Sequence, residues 1–503
     1  MSDGTIRAEP RLTVALFALL ALSIVRLWLM PLGSSFWVDE MGTVFVVQHG
    51  AAHPSLAVAP QVPKSIYYWL PRAASSVFGS SEVVYRLPST LAMGLALLLI
   101  ARLAGRLIHP RAAWFAAFAC LALSGIGYQA DDARPYALGT LAAAAGALGL
   151  VRWLDGGRWR DGLLFACSAA LLWRVHLIYW PFYLVFAIYA GARLLRRETP
   201  VGWLRAAAVF GLAGLALAPV LVDALALLRE APAHVIVKPP SLHAFEHLLR
   251  WNVVLICAGG AWLLARVRRW PRPAYPVSAT SLTLVLAWWL CQPVGLYAFS
   301  RLTGNSVFIP RYLSIMLPGV ALSATALAAR WVPLEQWKRL AALVGVGALL
   351  VQGQWTRVWP VHEHSDWRGA ARQVNTLALG PATPVICPSP FIEARPPEWR
   401  PGYPLPGFLY SFLPVYPITG QPILLPFATS PEAEAYAAQL ARETLASSRR
   451  FLIYGGDGPA SFWSKWLAAR PELAGWSYAR HTHGDVDVVE FNPPNQGPRS
   501  VPR

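Results

Sequence analysis

Apolar runs of bilayer-crossing length, roughly 17–25 residues each, recur along most of this chain, and no other feature restricts its fold as much. They fall near 12–31, 87–108, 112–129, 134–152, 162–177, 178–195, 204–228, 248–267, 277–299, 311–330 and 340–358. Backbone polar groups in hydrocarbon must be satisfied within the segment itself, so each run reads as a helix. The expectation is a polytopic α-helical membrane protein with about eleven transmembrane helices. The boundary at 175–179 is the least defined, because two short spans share one apolar block there. Composition agrees: 55% of the 503 residues are hydrophobic and 14% are charged, against about 25% charge in soluble domains.

The formal net charge of +17 would by itself suggest nucleic acid, but in so apolar a chain it reads better as a topology signal. Nearly all of it is arginine, since Lys64, Lys238, Lys338 and Lys465 are the only lysines. Arginines crowd alternate connections: Arg102, Arg106 and Arg111; Arg152, Arg158 and Arg160; Arg193, Arg196 and Arg197; Arg266, Arg268, Arg269 and Arg272; Arg330 with Lys338 and Arg339. The positive-inside rule puts these connections and the N-terminus in the cytoplasm. The first apolar run exceeds a signal-peptide core and has no small-residue cleavage site after it, so it reads as a retained helix. Five scattered cysteines show neither a disulfide framework nor a zinc-ligand spacing.

After Trp359 the chain changes character. PVICPSP, RFLIYGG and VDVVEF read as strands, and DWRGAARQVNTLAL and PEAEAYAAQLARETLA as amphipathic helices. The expected organisation is a membrane module over 1–359, including a long first outer loop at 32–86. A small extracytoplasmic α/β domain follows over 360–490, then a disordered tail over 491–503. Within the first loop, FWVDEMGTVFVVQ and SIYYWLPRAASSVF can each form a helix lying in the headgroup plane.

Two acidic pairs, Asp39-Glu40 and Asp131-Asp132, flank these apolar runs, and the Arg register places both outside. Carboxylates at a membrane edge must be solvated or paired, and ionisable groups there mark functional sites. If both loops face one side, these acids and Arg134 could converge on a single site at the bilayer surface.

At this point the residues resemble the polyprenyl-phosphate-dependent membrane glycosyltransferases, the C-type fold. The likeness is specifically to the relatives of protein O-mannosyltransferases and the lipid A aminoarabinose transferase. FWVDEMGT is similar to that family's first-loop Asp-Glu motif, and EVVYRLPSTLAMGLALLLIARLAGRLI to the start of its second helix. GYQADDARPYAL resembles its second-loop pattern, with Asp132 at the acidic position, and FIPRYLSIMLPG its late Arg-Tyr motif. WRVHLIYW is a weaker match to a His-containing segment. The resemblance covers about residues 10–330, with a fainter trace at DWRGAAR. One departure stands out: VPKSIYYW occupies the place of a PPLYY-like segment, which leaves the substrate more open than the reaction type.

The resemblance implies transfer of a sugar from a polyprenyl-phosphate donor to a lipid, glycan or protein acceptor on the outer face of an inner membrane. Such a transfer needs a base for the acceptor proton and cations for the departing phosphate. Asp39 is the candidate base, with Glu40 orienting it or holding a divalent metal; the plainer alternative is that both cap an interfacial helix. Asp132 is a candidate for the acceptor, a metal or Arg134, while Asp131 is expected to cap the next helix. Arg311, after Pro310, is a candidate for bidentate grip on phosphate, the alternative being an interface anchor. Arg301 and Lys64 are further phosphate candidates, and His176 is either a catalytic group or a packing residue. A transporter would place its ionisable groups at mid-bilayer on broken helices. A non-catalytic assembly subunit is the third reading.

Overall fold

The computed structural model describes residues 3–230, 238–273 and 276–494. The chain divides into two compact units, Met1–Leu32 with Ser65–Pro360, and Gly33–Lys64 with Val361–Arg503. The first loop was expected to stay whole with the membrane module; it divides between Lys64 and Ser65.

In chain order the helices begin with α1 (Asp3–Ile24), α2 (Val38–His49), α3 (Trp69–Phe78), α4 (Glu82–Leu107), α5 (Ala113–Leu121) and α6 (Ser124–Ala130). Next come α7 (Tyr136–Gly156), α8 (Trp159–Val175), α9 (Tyr183–Leu195), α10 (Trp203–Glu230), α11 (Leu242–Leu248) and α12 (Trp251–Val267). The last are α13 (Ala279–Thr303), α14 (Leu317–Ala328), α15 (Trp337–Gln352), α16 (Trp367–Leu377), α17 (Phe412–Val415), α18 (Pro431–Leu440) and α19 (Asp457–Ala468). The strands are β1 (Pro384–Pro388), β2 (Gln421–Leu425), β3 (Phe451–Gly456), β4 (Ser477–His483) and β5 (Val486–Asn492).

The first unit is helical. Among the described residues, seven helices are long and apolar enough to cross a membrane, and two bent pairs bring the number to as many as nine. The bends fall between α5 and α6, at 78°, and between α11 and α12, at 47°. Two further expected spans correspond to α8 and α15, which have only 17 and 16 residues. Serine caps start several helices: Ser81 Oγ accepts from the Val84 amide at α4, and Ser278 Oγ from the Ser281 amide at α13. Trp28, Trp153, Trp288 and Trp337 fill the interior. Leu204, Leu215, Val222 and Ile256 stay exposed on α10 and α12, as a lipid-bathed surface requires.

The second unit is an α/β fold around a five-stranded sheet of order β2-β1-β3-β5-β4. β1 pairs in parallel with β2 and β3, and β5 is antiparallel to β3 and β4. α16 and α19 pack on the sheet, burying Trp367 and Trp463. A two-residue turn joins β4 to β5, with Gly484 at φ +66° and its hydrogen-bearing face against the His364 carbonyl, so no side chain fits there. β5 runs through Asn492, into the tail that was expected to be disordered; from residue 495 that tail lies outside the described residues.

Candidate active site

The two acidic pairs belong to different units. In the second unit, Asp39 and Glu40 occupy the first turn of α2, where carboxylates are favoured by the positive end of the helix dipole. They differ in setting. Glu40 is fully buried and its Oε2 accepts a hydrogen bond from the Trp37 amide at 3.2 Å, while Asp39 is half-exposed. The capping role is therefore Glu40's. A carboxylate oxygen of Glu40 and a ring nitrogen of His362 lie within 4.8 Å of each other, a carboxylate–imidazole spacing that can hold one divalent cation. His362 is itself fixed by its amide, which donates to Ser34 Oγ at 3.1 Å. At the other end of α2, burial and then the charge of His53 hold the His49 ring below its ordinary pKa. Lys64 is exposed at the end of a three-residue 3₁₀ turn.

In the first unit, the loop 131–135 turns the chain from α6 into α7. Asp131 and Asp132 are buried, and the Arg134 amide donates to the Asp132 carbonyl at 2.8 Å. Contrary to expectation, Asp131 does not cap α7: it ends α6, and Pro135 stands at the N-cap of α7. The loop is tied to α4, since Thr90 Oγ1 donates to the Ala130 carbonyl at 2.8 Å and Ser89 Oγ to the Arg134 carbonyl at 3.3 Å. Tyr67 Oη and Ser89 Oγ share a hydrogen bond of 3.0 Å.

His176 breaks the chain between α8 and a 3₁₀ turn over Leu177–Phe182. Its ring stacks on Tyr136 at 5.6 Å between centroids and meets Tyr312 at 5.4 Å and Tyr179 at 5.7 Å. Arg311 opens a second 3₁₀ turn, Pro310–Met316, with its guanidinium carbon 5.7 Å from the centre of the Tyr312 ring. Gln292 of α13 holds the two turns together: its amide nitrogen donates to the Ile178 and Tyr312 carbonyls, each at 3.1 Å. His176 and Arg311 thus share the Tyr312 ring, and His176 also stacks on Tyr136, two residues after Arg134. Arg301 is exposed in the last turn of α13.

Four participants went unread in the sequence: Tyr136, Tyr312, Gln292 and His362. The tyrosines stand beside the arginines in RPY and RY, and a glutamine inside an apolar run is itself a signal. His362 begins HEHSD, where several polar residues compete for notice.

Residues 63–222 match the family described as dolichyl-phosphate-mannose-protein mannosyltransferase. No curated protein matches the chain. Among solved structures, ArnT from Cupriavidus metallidurans in the apo state aligns with a TM-score of 0.57 at 14% identity, over 97% of this chain and 99% of that one. The same protein bound to undecaprenyl phosphate aligns with a TM-score of 0.56 at 12% identity, over 97% and 100%. At these identities the likeness is one of fold. The chain is a polytopic helical membrane protein with the C-type glycosyltransferase fold, and its stretch from Lys64 through Asp132 and Arg134 to His176 lies within a protein mannosyltransferase family match.

Proposed function

We propose that the protein is an inverting membrane glycosyltransferase that moves a sugar from a polyprenyl-phosphate donor to a lipid, glycan or protein acceptor on the outer face. The observation that carries this reading is the aromatic platform of Tyr136 and Tyr312, on which the His176 ring packs and over which the Arg311 guanidinium lies, with Arg134 two residues before Tyr136. The guanidiniums of Arg134 and Arg311 would supply the positive charge a departing phosphate needs. The family match over 63–222 and the fold shared with a protein bound to undecaprenyl phosphate support the donor class. In the reaction, the acceptor oxygen attacks the anomeric carbon as the carbon–oxygen bond to phosphate breaks. The proton goes to Asp39 and the electron pair to the phosphate oxygen. Glu40, held by the Trp37 amide, orients the turn that carries Asp39. Asp132 serves the acceptor or a divalent metal.

The test uses purified protein in lipid nanodiscs with a labelled polyprenyl-phosphate sugar. Asp39→Asn keeps the side chain's shape but cannot take a proton, so turnover falls by about 10²–10⁴-fold while donor binding survives. A folded Asp39→Asn protein with near wild-type turnover hands the role to Glu40 or Asp132. If the wild type transfers sugar to no acceptor, a transporter or an assembly subunit becomes the better reading.

A further inference from the structure

The segment that leads into α2 has no regular structure of its own, yet its polar groups are met one by one from far along the second unit. The Arg368 guanidinium donates to the Gly33 carbonyl at 2.9 Å. Ser34 Oγ accepts from the His362 amide at 3.1 Å, and Ser35 Oγ from the Arg368 amide at 3.1 Å. The Phe36 amide donates to Tyr416 Oη at 2.8 Å, and Ser35 Oγ reaches the same oxygen at 3.4 Å. Ser35, Phe36 and Tyr416 are all buried, so the two bonds to Tyr416 Oη are made away from water, where leaving a polar group unmet costs about 1–3 kcal/mol. The next turn is pressed from the same side. A Cβ on Gly42 would stand 3.2 Å from the Phe408 ring, and the Phe408 amide is in turn bound to Ser55 Oγ at 3.0 Å.

Helix α2 is rigid once begun, so the direction of its first turn is set by the residues before it. Those residues are held by the α/β unit. We propose that Tyr416, with Ser35 and Arg368, is a positioning device for Asp39: the tyrosine oxygen fixes the Phe36 amide and thereby the angle at which the Asp39 carboxylate meets the acceptor. This rests on Asp39 being the base. A base displaced by about 1 Å can lose on the order of 10²-fold in rate, so a single hydroxyl far from the reacting atoms acts through geometry alone.

The experiment is a double-mutant cycle with Asp39→Asn and Tyr416→Phe in the full chain in nanodiscs, with hydrogen exchange of the 33–40 amides recorded alongside. Ser35→Ala is the milder companion if Tyr416→Phe folds poorly. The expected result is faster exchange at Phe36 and a kcat lower by roughly 10–100-fold with KM unchanged. On the Asp39→Asn background, Tyr416→Phe should cost nothing further, because a misplaced base and an absent one are equivalent. A multiplicative loss in the double variant, or a loss carried by KM, would mean a merely structural tyrosine. Wild-type exchange and kcat in both Tyr416→Phe and Ser35→Ala would overturn the clasp while leaving the Asp39→Asn defect standing. Wild-type turnover in Asp39→Asn itself overturns the base reading and the positioning role together, even where the exchange shows the clasp loosened.

Discussion

Arg311 and Arg26 are the same residue type near the ends of apolar runs, and the structure uses them in opposite ways. Arg26 is buried, with its guanidinium donating to the carbonyls of Gly353, Gln354, Arg357 and Val358 and lying over Trp355. It locks the loop after α15 to the end of the first span. Arg311 instead lays its guanidinium against the Tyr312 ring, which in turn meets His176. Arg311→Ala should weaken donor binding by about 10–100-fold, the worth of a charge-assisted hydrogen bond of about 1.5–3 kcal/mol. Arg311→Lys should recover only part, because the planar fork is lost. Titration with the labelled donor reads this directly, and unchanged affinity in the alanine variant would reduce Arg311 to an anchor. The contrast marks what residue-level reading can reach. FIPRYL and ADDARPY carry local motifs around their arginines, whereas the partners of Arg26 lie more than 320 residues away and leave no trace beside it.

Among the elements, α13 and α14 approach so closely that a Cβ at Gly319 would stand 2.5 Å from the Trp289 amide nitrogen and 2.7 Å from the Trp288 carbonyl carbon. Both are backbone atoms and cannot step aside. Small residues permit such approaches between membrane helices, where packing rather than water exclusion drives association. Gly319→Ala should therefore destabilise by about 1–3 kcal/mol. Gly214→Ala on α10, with nothing within 4 Å of its Cβ position, should be neutral or gain up to about 1 kcal/mol of helix propensity. Thermal unfolding in detergent compares the two, and equal midpoints would show that the α13–α14 contact can relax. Helix positions were largely legible, because hydropathy is written residue by residue. The bends were not: no proline marks the break at Ala122–Leu123, and packing around it decides the 78° turn. In the α/β unit, β1, β3 and β5 were legible as apolar runs. β2 and β4 were not, because β2 is buried only over its second half and β4 is an edge strand, SYARHTH, exposed along most of its length.

For the whole molecule, the arginine distribution predicts an N-inside, C-outside topology. Reporter fusions after Arg197 and after Trp367 should fall on opposite sides of the membrane. Both on one side would remove the physical basis for placing the acidic loops outside. The largest departure from the sequence reading is at this scale too. Residues 33–64 are flanked by membrane-bound stretches and were assigned to them, yet they fold with 361–503. Nothing in WVDEMGT announces a partner such as Tyr416, since that pairing exists only in three dimensions.

The Phe36–Tyr416 bond spans 380 residues, and this distance has a meaning in time. At about 5–20 residues per second, a ribosome needs roughly 20–75 s to travel from one to the other. The acidic dipeptide is translated first, and its clasp follows only after that interval. Through that interval the nascent helices can insert while the turn bearing Asp39 has nothing to lean on. Arrival of Tyr416 then acts as the licence for the chemistry, and a chain stalled before it would sit in the bilayer silent.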